Sequence, residues 1–195
     1  MIAAVILAAG ASRRMGSPKA LLDYRGETFL NRLIRVLGKE CNPVIAVLGY
    51  HADAIQAQAA GKVQLVVNPY PERGQLSSLQ TGLAAVPQDV EGFLFTPVDS
   101  PAVKETTLRQ LVVRFQEKKL QTQFVIPRYE GKRGHPVFAA PSLLGEFLAL
   151  PQMAQAKDIV HACVPRTEYV DVDDPGILAD IDDREAYREL VEKSQ

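Results

Sequence analysis

Short continuous apolar runs alternate along the chain with longer segments in which apolar residues return every three or four positions. The first run, "IAAVILAA", has no polar alternation, the pattern of a strand buried on both faces. "ETFLNRLIRVLGKE" puts Phe29, Leu30, Leu33, Ile34 and Leu37 on one helical face, with Thr28 placed as its cap. "PVIAVLG" predicts a second strand ended by Gly49, "HADAIQAQAAG" a short helix closed by Gly61, and "VQLVVN" a third strand. "PYPERGQLSSLQTGLAAV" reads as a loop running into a helix, and "GFLFTPVDSP" as a fourth strand ending in Asp99. "TTLRQLVVRFQEKK" aligns Leu108, Leu111, Val112 and Phe115 on one helix face. "QFVIPRYEGKRGHPVFAAP" predicts a strand, a turn at Gly131 and Gly134, and a returning strand. Two short helices, "SLLGEFLAL" and "AQAKDIVHAC", lead to a last strand, "EYVDV". The terminal helix, "DREAYRELVEK", has Asp182 or Asp183 as its cap.

Repeated strand–helix–strand units imply an open, mostly parallel sheet with helices on both faces. No linker, repeat or low-complexity tract interrupts the chain, so residues 1–195 are expected to form a single domain. Composition adds little: 47% hydrophobic and 23% charged residues suit a soluble globular protein. The net charge of −1 offers no general attraction to nucleic acid or a membrane surface, so any basic site is local. The two cysteines, Cys41 and Cys163, fit neither a C-x-x-C pair nor zinc-ligand spacing, and read as buried reduced thiols of a cytoplasmic protein. The opening run could be taken for an export signal, but no positive residue precedes it and the arginines follow it. It is also far short of the ~20 residues that span a bilayer.

In open sheets of this kind, ligands bind beyond the carboxyl ends of the strands. The residues at those positions carry chemistry: Gly10, Ser12, Arg13, Arg14 and Lys19 after the first strand, Asn68, Arg73, Gly74, Ser77 and Ser78 after the third, and Asp99 after the fourth. The loop "LAAGASRRMGSPK" lacks the glycine spacing of a P-loop and of the dinucleotide fingerprint G-x-G-x-x-G. Its small residues would let backbone N–H groups approach phosphate oxygens, with Arg14 and Lys19 as counter-charges. A solvated basic turn is the competing reading. Asp99 either caps the next helix or helps hold a divalent cation. Six aspartates lie between Asp171 and Asp183; an EF-hand reading of them fails at Pro175 and Asp182, and most suit caps and solvated turns.

These motifs together resemble the MobA-like NTP transferase family, most closely its molybdenum cofactor cytidylyltransferase branch. "LAAGASRRMGSPK" meets every fixed position of that family's first motif, and "NPYPERGQLSSLQTGL" those of its second. Asp99-Ser100-Pro101, Gly134-His135-Pro136 and "DDPGIL" follow in the family's order. The terminal motif departs from the pattern at Asp183-Arg184 and Ala186, and a Gly-Ala-Arg element before the last strand is missing, with Lys157 as the nearby cation. The resemblance implies a three-layer Rossmann-like sheet with a small β-hairpin insertion near an acceptor site. It also implies transfer of a nucleoside monophosphate, CMP from CTP, to the phosphate of molybdopterin, with Mg²⁺ as cofactor and pyrophosphate as the leaving group. Leu7, Ala8, Ala9, Gly10, Ser12, Arg14, Lys19, Asn68, Ser77 and Ser78 would hold the nucleotide. Arg14, Lys19 and Asp99 would be catalytic, Asp99 and Asp182 would bind the metal (with Asp180 as the other choice), and Gly134, His135 and Pro136 would meet the acceptor. Ala9 in Leu-Ala-Ala-Gly goes with CTP in this family, where a glycine goes with GTP. A molybdoenzyme or its chaperone is the expected downstream partner. Transfer to a sugar or polyol phosphate, use of GTP, and a non-catalytic pterin carrier are the alternatives.

Overall fold

The computed structural model describes residues 1–192. Its central strand, β1 (Ile2–Ala8), is buried at every position. The pleat sends Ile2, Ala4, Ile6 and Ala8 into one apolar core and Ala3, Val5 and Leu7 into another on the opposite face. A run that is apolar throughout therefore serves two cores at once.

The remaining elements follow from that strand. After the two-residue strands β2 (Asp23–Tyr24) and β3 (Glu27–Thr28) come α1 (Phe29–Leu37), β4 (Val44–Leu48), α2 (Ala52–Gln56), β5 (Gln64–Val67) and α3 (Gln75–Leu83). Next are β6 (Gly92–Pro97), α4 (Glu105–Gln116), β7 (Phe124–Tyr129), β8 (Lys132–Arg133) and β9 (Val137–Ala139). The chain continues through α5 (Leu143–Ala149), α6 (Ala156–Ala162), β10 (Thr167–Asp171) and α7 (Arg184–Glu192). Among the described residues the main sheet has eight strands, ordered β10-β7-β9-β6-β1-β4-β5, with β8 paired to β7. Strands β6, β1, β4 and β5 are mutually parallel, as are β7 and β10; β9 runs antiparallel between β6 and β7. Helices α1 and α4 cover one face, and α3, α5 and α6 the other. This is the three-layer, mostly parallel architecture expected from the sequence. The hairpin built from β7 and β9 is part of the main sheet itself, and only β8 stands outside the strand order.

Three boundaries differ from the sequence expectation. Strand β6 stops at Pro97, so Asp99 sits in the turn beyond it rather than at its last rung. Helix α2 ends at Gln56, with Ala57 as its C-cap, and Gly61 belongs to a later turn with φ of +89°. Asp183, not Asp182, caps α7, its Oδ1 accepting from the backbone N–H groups of Glu185 and Ala186. Thr28 does cap α1, accepting from Asn31 N–H.

Close packing fixes α3 against the sheet. A methyl group at Gly82 would lie 2.5 Å from Val5 Cγ1 and 2.7 Å from Val47 Cγ2, so only glycine lets the helix approach so near. Cys41 and Cys163 are both buried and unpaired with one another, and burial pushes the Cys41 thiol up to about 12. No helix among the described residues is long and apolar enough to cross a membrane.

The segment after β10 is tied down by one buried side chain. Asp174 is 1% exposed. Its Oδ2 accepts from Lys104 N–H at 2.8 Å and from Thr107 Oγ1 at 2.7 Å; its Oδ1 accepts from Gly176 N–H at 2.9 Å. It thus supplies the cap that the first turn of α4 lacks locally. Further along, Ala179 carbonyl accepts from Ser100 Oγ and Asp99 carbonyl accepts from Ile181 N–H. The chain from 174 to 182 becomes a strap across the carboxyl edge of the sheet. Replacing Asp174 with Ala would leave three donors buried without an acceptor, and is expected to cost about 3 kcal/mol. Urea denaturation checks this: the midpoint falls with an unchanged slope, and Asp174→Asn loses less.

Candidate functional site

The carboxyl edge of β1 opens into a loop that Ser12 latches. Ser12 Oγ accepts from Lys19 N–H at 3.0 Å, and Ser12 carbonyl accepts from Met15 N–H at 3.0 Å and Gly16 N–H at 3.3 Å. Met15 is buried and anchors the loop. Arg184 at the start of α7 donates to Met15 carbonyl from outside. The loop walls a cavity of about 450 Å³ whose lining includes Leu7, Ala8, Ala9, Gly10, Ser12, Arg14, Lys19, Ser78, Asp99 and Asp182. Ala9 is packed from below: a methyl at Gly49 would lie 2.8 Å from both its Cβ and its carbonyl oxygen.

Charge is concentrated at one end of this cavity. Lys19 Nζ donates to Asp99 Oδ2 at 2.9 Å and to Asp182 Oδ1 at 2.7 Å, and Arg14 Nη2 donates to Asp182 Oδ2 at 2.9 Å. Lys19 and Asp99 are largely buried, while Arg14 remains 67% exposed and free to reach into the cavity. Burial opposes the Lys19 charge, but the hydrogen bonds to Asp182 and Asp99 more than offset it and raise its pKa. The same bond from Lys19, with help from Arg14, holds the Asp182 carboxyl below its usual range against a burial penalty. Asp180 is pushed the other way by partial burial and by the neighbouring Asp99 and Asp182 carboxylates. Asp99, Asp180 and Asp182 each offer an oxygen within 4.8 Å of the others. Asp99 Oδ1 is buried with no hydrogen-bond partner. Hard oxygen donors around an unsatisfied buried carboxylate oxygen fit a divalent cation such as Mg²⁺ or Mn²⁺.

Two residues expected at the nucleotide lie outside the cavity lining. Asn68 is buried, its Nδ2 donating to Ser77 Oγ at 2.7 Å and Ser78 Oγ at 3.1 Å while its Oδ1 accepts from Tyr70 N–H. Its amide is fully engaged in holding the loop before α3. Ser77 Oγ turns back to Tyr70 carbonyl, so Ser78 alone of that pair lines the cavity. Sequence reading also missed Tyr50 and Gln75, which are among the other lining residues. Gln75 follows Gly74 directly in the second motif, a signal available from spacing; Tyr50 follows the glycine that ends β4.

A second cavity of about 300 Å³ adjoins the first and shares Leu7, Gln75 and Pro97 with it. Its walls are apolar, with Leu79, Phe95, Ile126 and Val137, and its cationic groups are Arg133 and Lys157. His135, His161 and Gly134 also line it, and no carboxylate among the described residues does. Pro136, expected here, is instead buried behind the lining as the chain turns into β9. Gly134 is needed for a close approach: a methyl there would lie 2.2 Å from Ile177 carbonyl, the group that accepts from His135 N–H at 2.9 Å. The strap therefore positions His135 as well as the two aspartates. His135 Nδ1 is buried without a partner, and burial pushes the imidazole pKa down despite the Asp99 charge nearby.

The sequence matches the MobA-like NTP transferase domain over residues 4–168. The probable molybdenum cofactor guanylyltransferase of Bacillus cytotoxicus is 26% identical over 136 residues, 68% of this chain and 64% of that protein, just under two thirds of its length. The molybdenum cofactor cytidylyltransferase of Escherichia coli K12 is 25% identical over 181 residues, covering 91% of this chain and 89% of its own. Nicotine blue oxidoreductase of Paenarthrobacter nicotinovorans is 35% identical over 143 residues, 70% of this chain and 69% of that one. Among solved structures, Rv0371c of Mycobacterium tuberculosis H37Rv superposes with a TM-score of 0.83 at 33% identity, covering 98% of this chain and 97% of that one. A manganese complex of Rv0371c superposes with a TM-score of 0.79.

The burial of His135 has a measurable consequence. Its imidazole is expected to titrate below the ordinary value of 6.5 and to stay neutral through neutral pH. Imidazole nitrogen NMR across a pH series checks this, with His135→Gln assigning the signal; a midpoint at or above 6.5 contradicts it.

Proposed function

Because the chain belongs to the MobA-like NTP transferase family, we propose that it transfers a nucleoside monophosphate, CMP from CTP, to the phosphate of molybdopterin and releases pyrophosphate. The observation that carries this reading is the pairing of two adjoining cavities, one ending in the Lys19–Asp99–Asp182 cluster and the other apolar with cations. The nucleotide occupies the first, with the backbone from Leu7 to Gly10 and the hydroxyl of Ser78 against base and ribose. Arg14 and Lys19 grip the triphosphate. Asp99 and Asp182, with Asp180 beside them, hold Mg²⁺, which when bound neutralises charge on the phosphates.

The acceptor occupies the second cavity. Its phosphate oxygen attacks the α-phosphorus in line, a new P–O bond forms, and the bond to the β-phosphate breaks as pyrophosphate departs. That oxygen is already ionised at neutral pH, so no strong base is required, and positioning with charge stabilisation does the work. Neutral His135 serves as a hydrogen-bonding group to the acceptor. Arg133 and Lys157 supply anion contacts there, with Lys157 in place of the family's missing arginine. The apolar walls favour a planar ring system over a sugar or polyol phosphate, whose hydroxyls would find few partners.

The cytidylyl choice is supported by Ala9 and by the match to the E. coli cytidylyltransferase over most of both chains. The guanylyltransferase relative keeps GTP as the alternative nucleotide. A second reading, an oxidoreductase, is favoured by the 35% identity to nicotine blue oxidoreductase. One assay series separates them. Pyrophosphate release is measured with CTP, GTP or ATP and with molybdopterin or a sugar phosphate, beside NAD(P)H consumption with a quinonoid dye. CTP with molybdopterin should give the highest rate, and Asp99→Ala should lower it by about 10³-fold or more without unfolding the protein. Dye reduction without pyrophosphate release would overturn the transferase reading. Full function of Asp99→Ala would point to a carrier instead.

A further inference from the structure

The Lys19 ammonium lies between the same two carboxylates that the proposed metal would need. Its 2.9 Å contact to Asp99 Oδ2 and 2.7 Å contact to Asp182 Oδ1 bridge them as a divalent ion would. Arg14 occupies the other oxygen of Asp182. Asp99 and Asp182 are thus paired with cations of the same chain, while Asp99 Oδ1 is buried and unpartnered. Lys19 has a means of leaving. It follows Pro18 at the cavity wall, and Ser12 holds its backbone N–H while the side chain can rotate toward the cavity.

We infer that Lys19 is an exchangeable counter-ion: in the absence of nucleotide it occupies the cation position between Asp99 and Asp182, and it yields that position to the divalent metal only when a triphosphate draws it away. This rests on the metal reading above. Two carboxylates trade a single positive charge for a double one, and the displaced ammonium passes to the polyanion that arrives with the metal ion. Metal alone must compete with a cation held on two hydrogen bonds at short range, where charge pairs are strong. Metal together with triphosphate meets no such competition, since the phosphates reward Lys19 for moving. The site therefore favours the metal–nucleotide complex over either component. Lys19 acts on metal affinity through position rather than through net charge alone, which separates it from Arg14. Arg14 touches only Asp182, and its side chain is mostly exposed.

The test is Mn²⁺ binding to the full chain without nucleotide, read by the electron paramagnetic resonance of free Mn²⁺ at fixed ionic strength. Lys19→Met is expected to bind Mn²⁺ about tenfold or more tightly than the unsubstituted protein. Arg14→Met should gain less than about threefold, because its charge is screened by solvent. Adding Asp99→Asn to Lys19→Met should remove the gain. Lys19→Gln is the second variant, with circular dichroism confirming that each protein is folded. Equal or weaker Mn²⁺ binding in both folded Lys19 variants overturns the exchange and leaves the transferase reading standing. An equal gain from Arg14→Met also overturns it, since net charge would then suffice. No Mn²⁺ binding in any protein overturns the exchange and the metal assignment together. The transferase reading itself fails only if pyrophosphate is never released, so the two failures are distinct.

Discussion

Three carboxylates cannot share one sheet edge without a cation among them. Asp99, Asp180 and Asp182 come within 4.8 Å of one another, and the surrounding structure is organised by that repulsion. Lys19 bridges two of them, Arg14 reaches a third oxygen, and Asp180 relieves its share by a carboxyl that holds its proton more tightly. The loop after β1 has to deliver two cations to this point. The strap after β10 has to deliver two of the three anions. Much of the remaining local structure serves these deliveries: the Ser12 latch, the buried Met15, and the clasp of Asp174 on α4.

The sheet provides the frame. Parallel strands β1 and β6 end side by side, so the loop bearing Lys19 and the turn bearing Asp99 emerge as neighbours although they are 80 residues apart in the chain. The antiparallel strand β9 then breaks the parallel order between β6 and β7. That reversal brings the chain at Gly134 and His135 back to the same edge, where the strap passes within hydrogen-bonding reach. Two cavities with different linings result, one polar and charged at its end, the other mostly apolar, separated by little more than Leu7, Gln75 and Pro97.

Much of this was legible from the chain alone. The unbroken apolar character of β1 marked a strand buried on both faces, and the chemical residues gathered after strand ends as an open sheet requires. Lys19, Asp99 and Asp182 converge as expected, because motif spacing reports on local loops attached to a regular frame. What spacing could not report was which polar groups spend their capacity on each other. Asn68 reads as a ligand-facing amide, yet its side chain is spent on Tyr70 in its own loop and on Ser77 and Ser78 at the start of α3. Asp174 reads as one of several aspartates suited to caps and solvated turns; it is a cap, but a buried one on a helix 70 residues away in the chain. Pro136 sat in a motif with His135 but turned inward when β9 joined the sheet. The outcomes at Asp174 and Pro136 depend on contacts between distant segments, which no local pattern encodes.

The distribution of the site along the chain also bears on how it comes into being. Lys19 and Asp99 emerge from the ribosome with the first half of the chain, while the partner of Lys19 at Asp182 lies 163 residues beyond it. Synthesis at roughly 5–20 residues per second leaves an interval of seconds in which most of the sheet exists and the strap does not. Until the strap is made, neither Asp180 nor Asp182 is there to crowd Asp99. The cluster of three carboxylates is therefore completed last, by the aspartates of the strap, against a loop and a turn that the sheet has already set side by side.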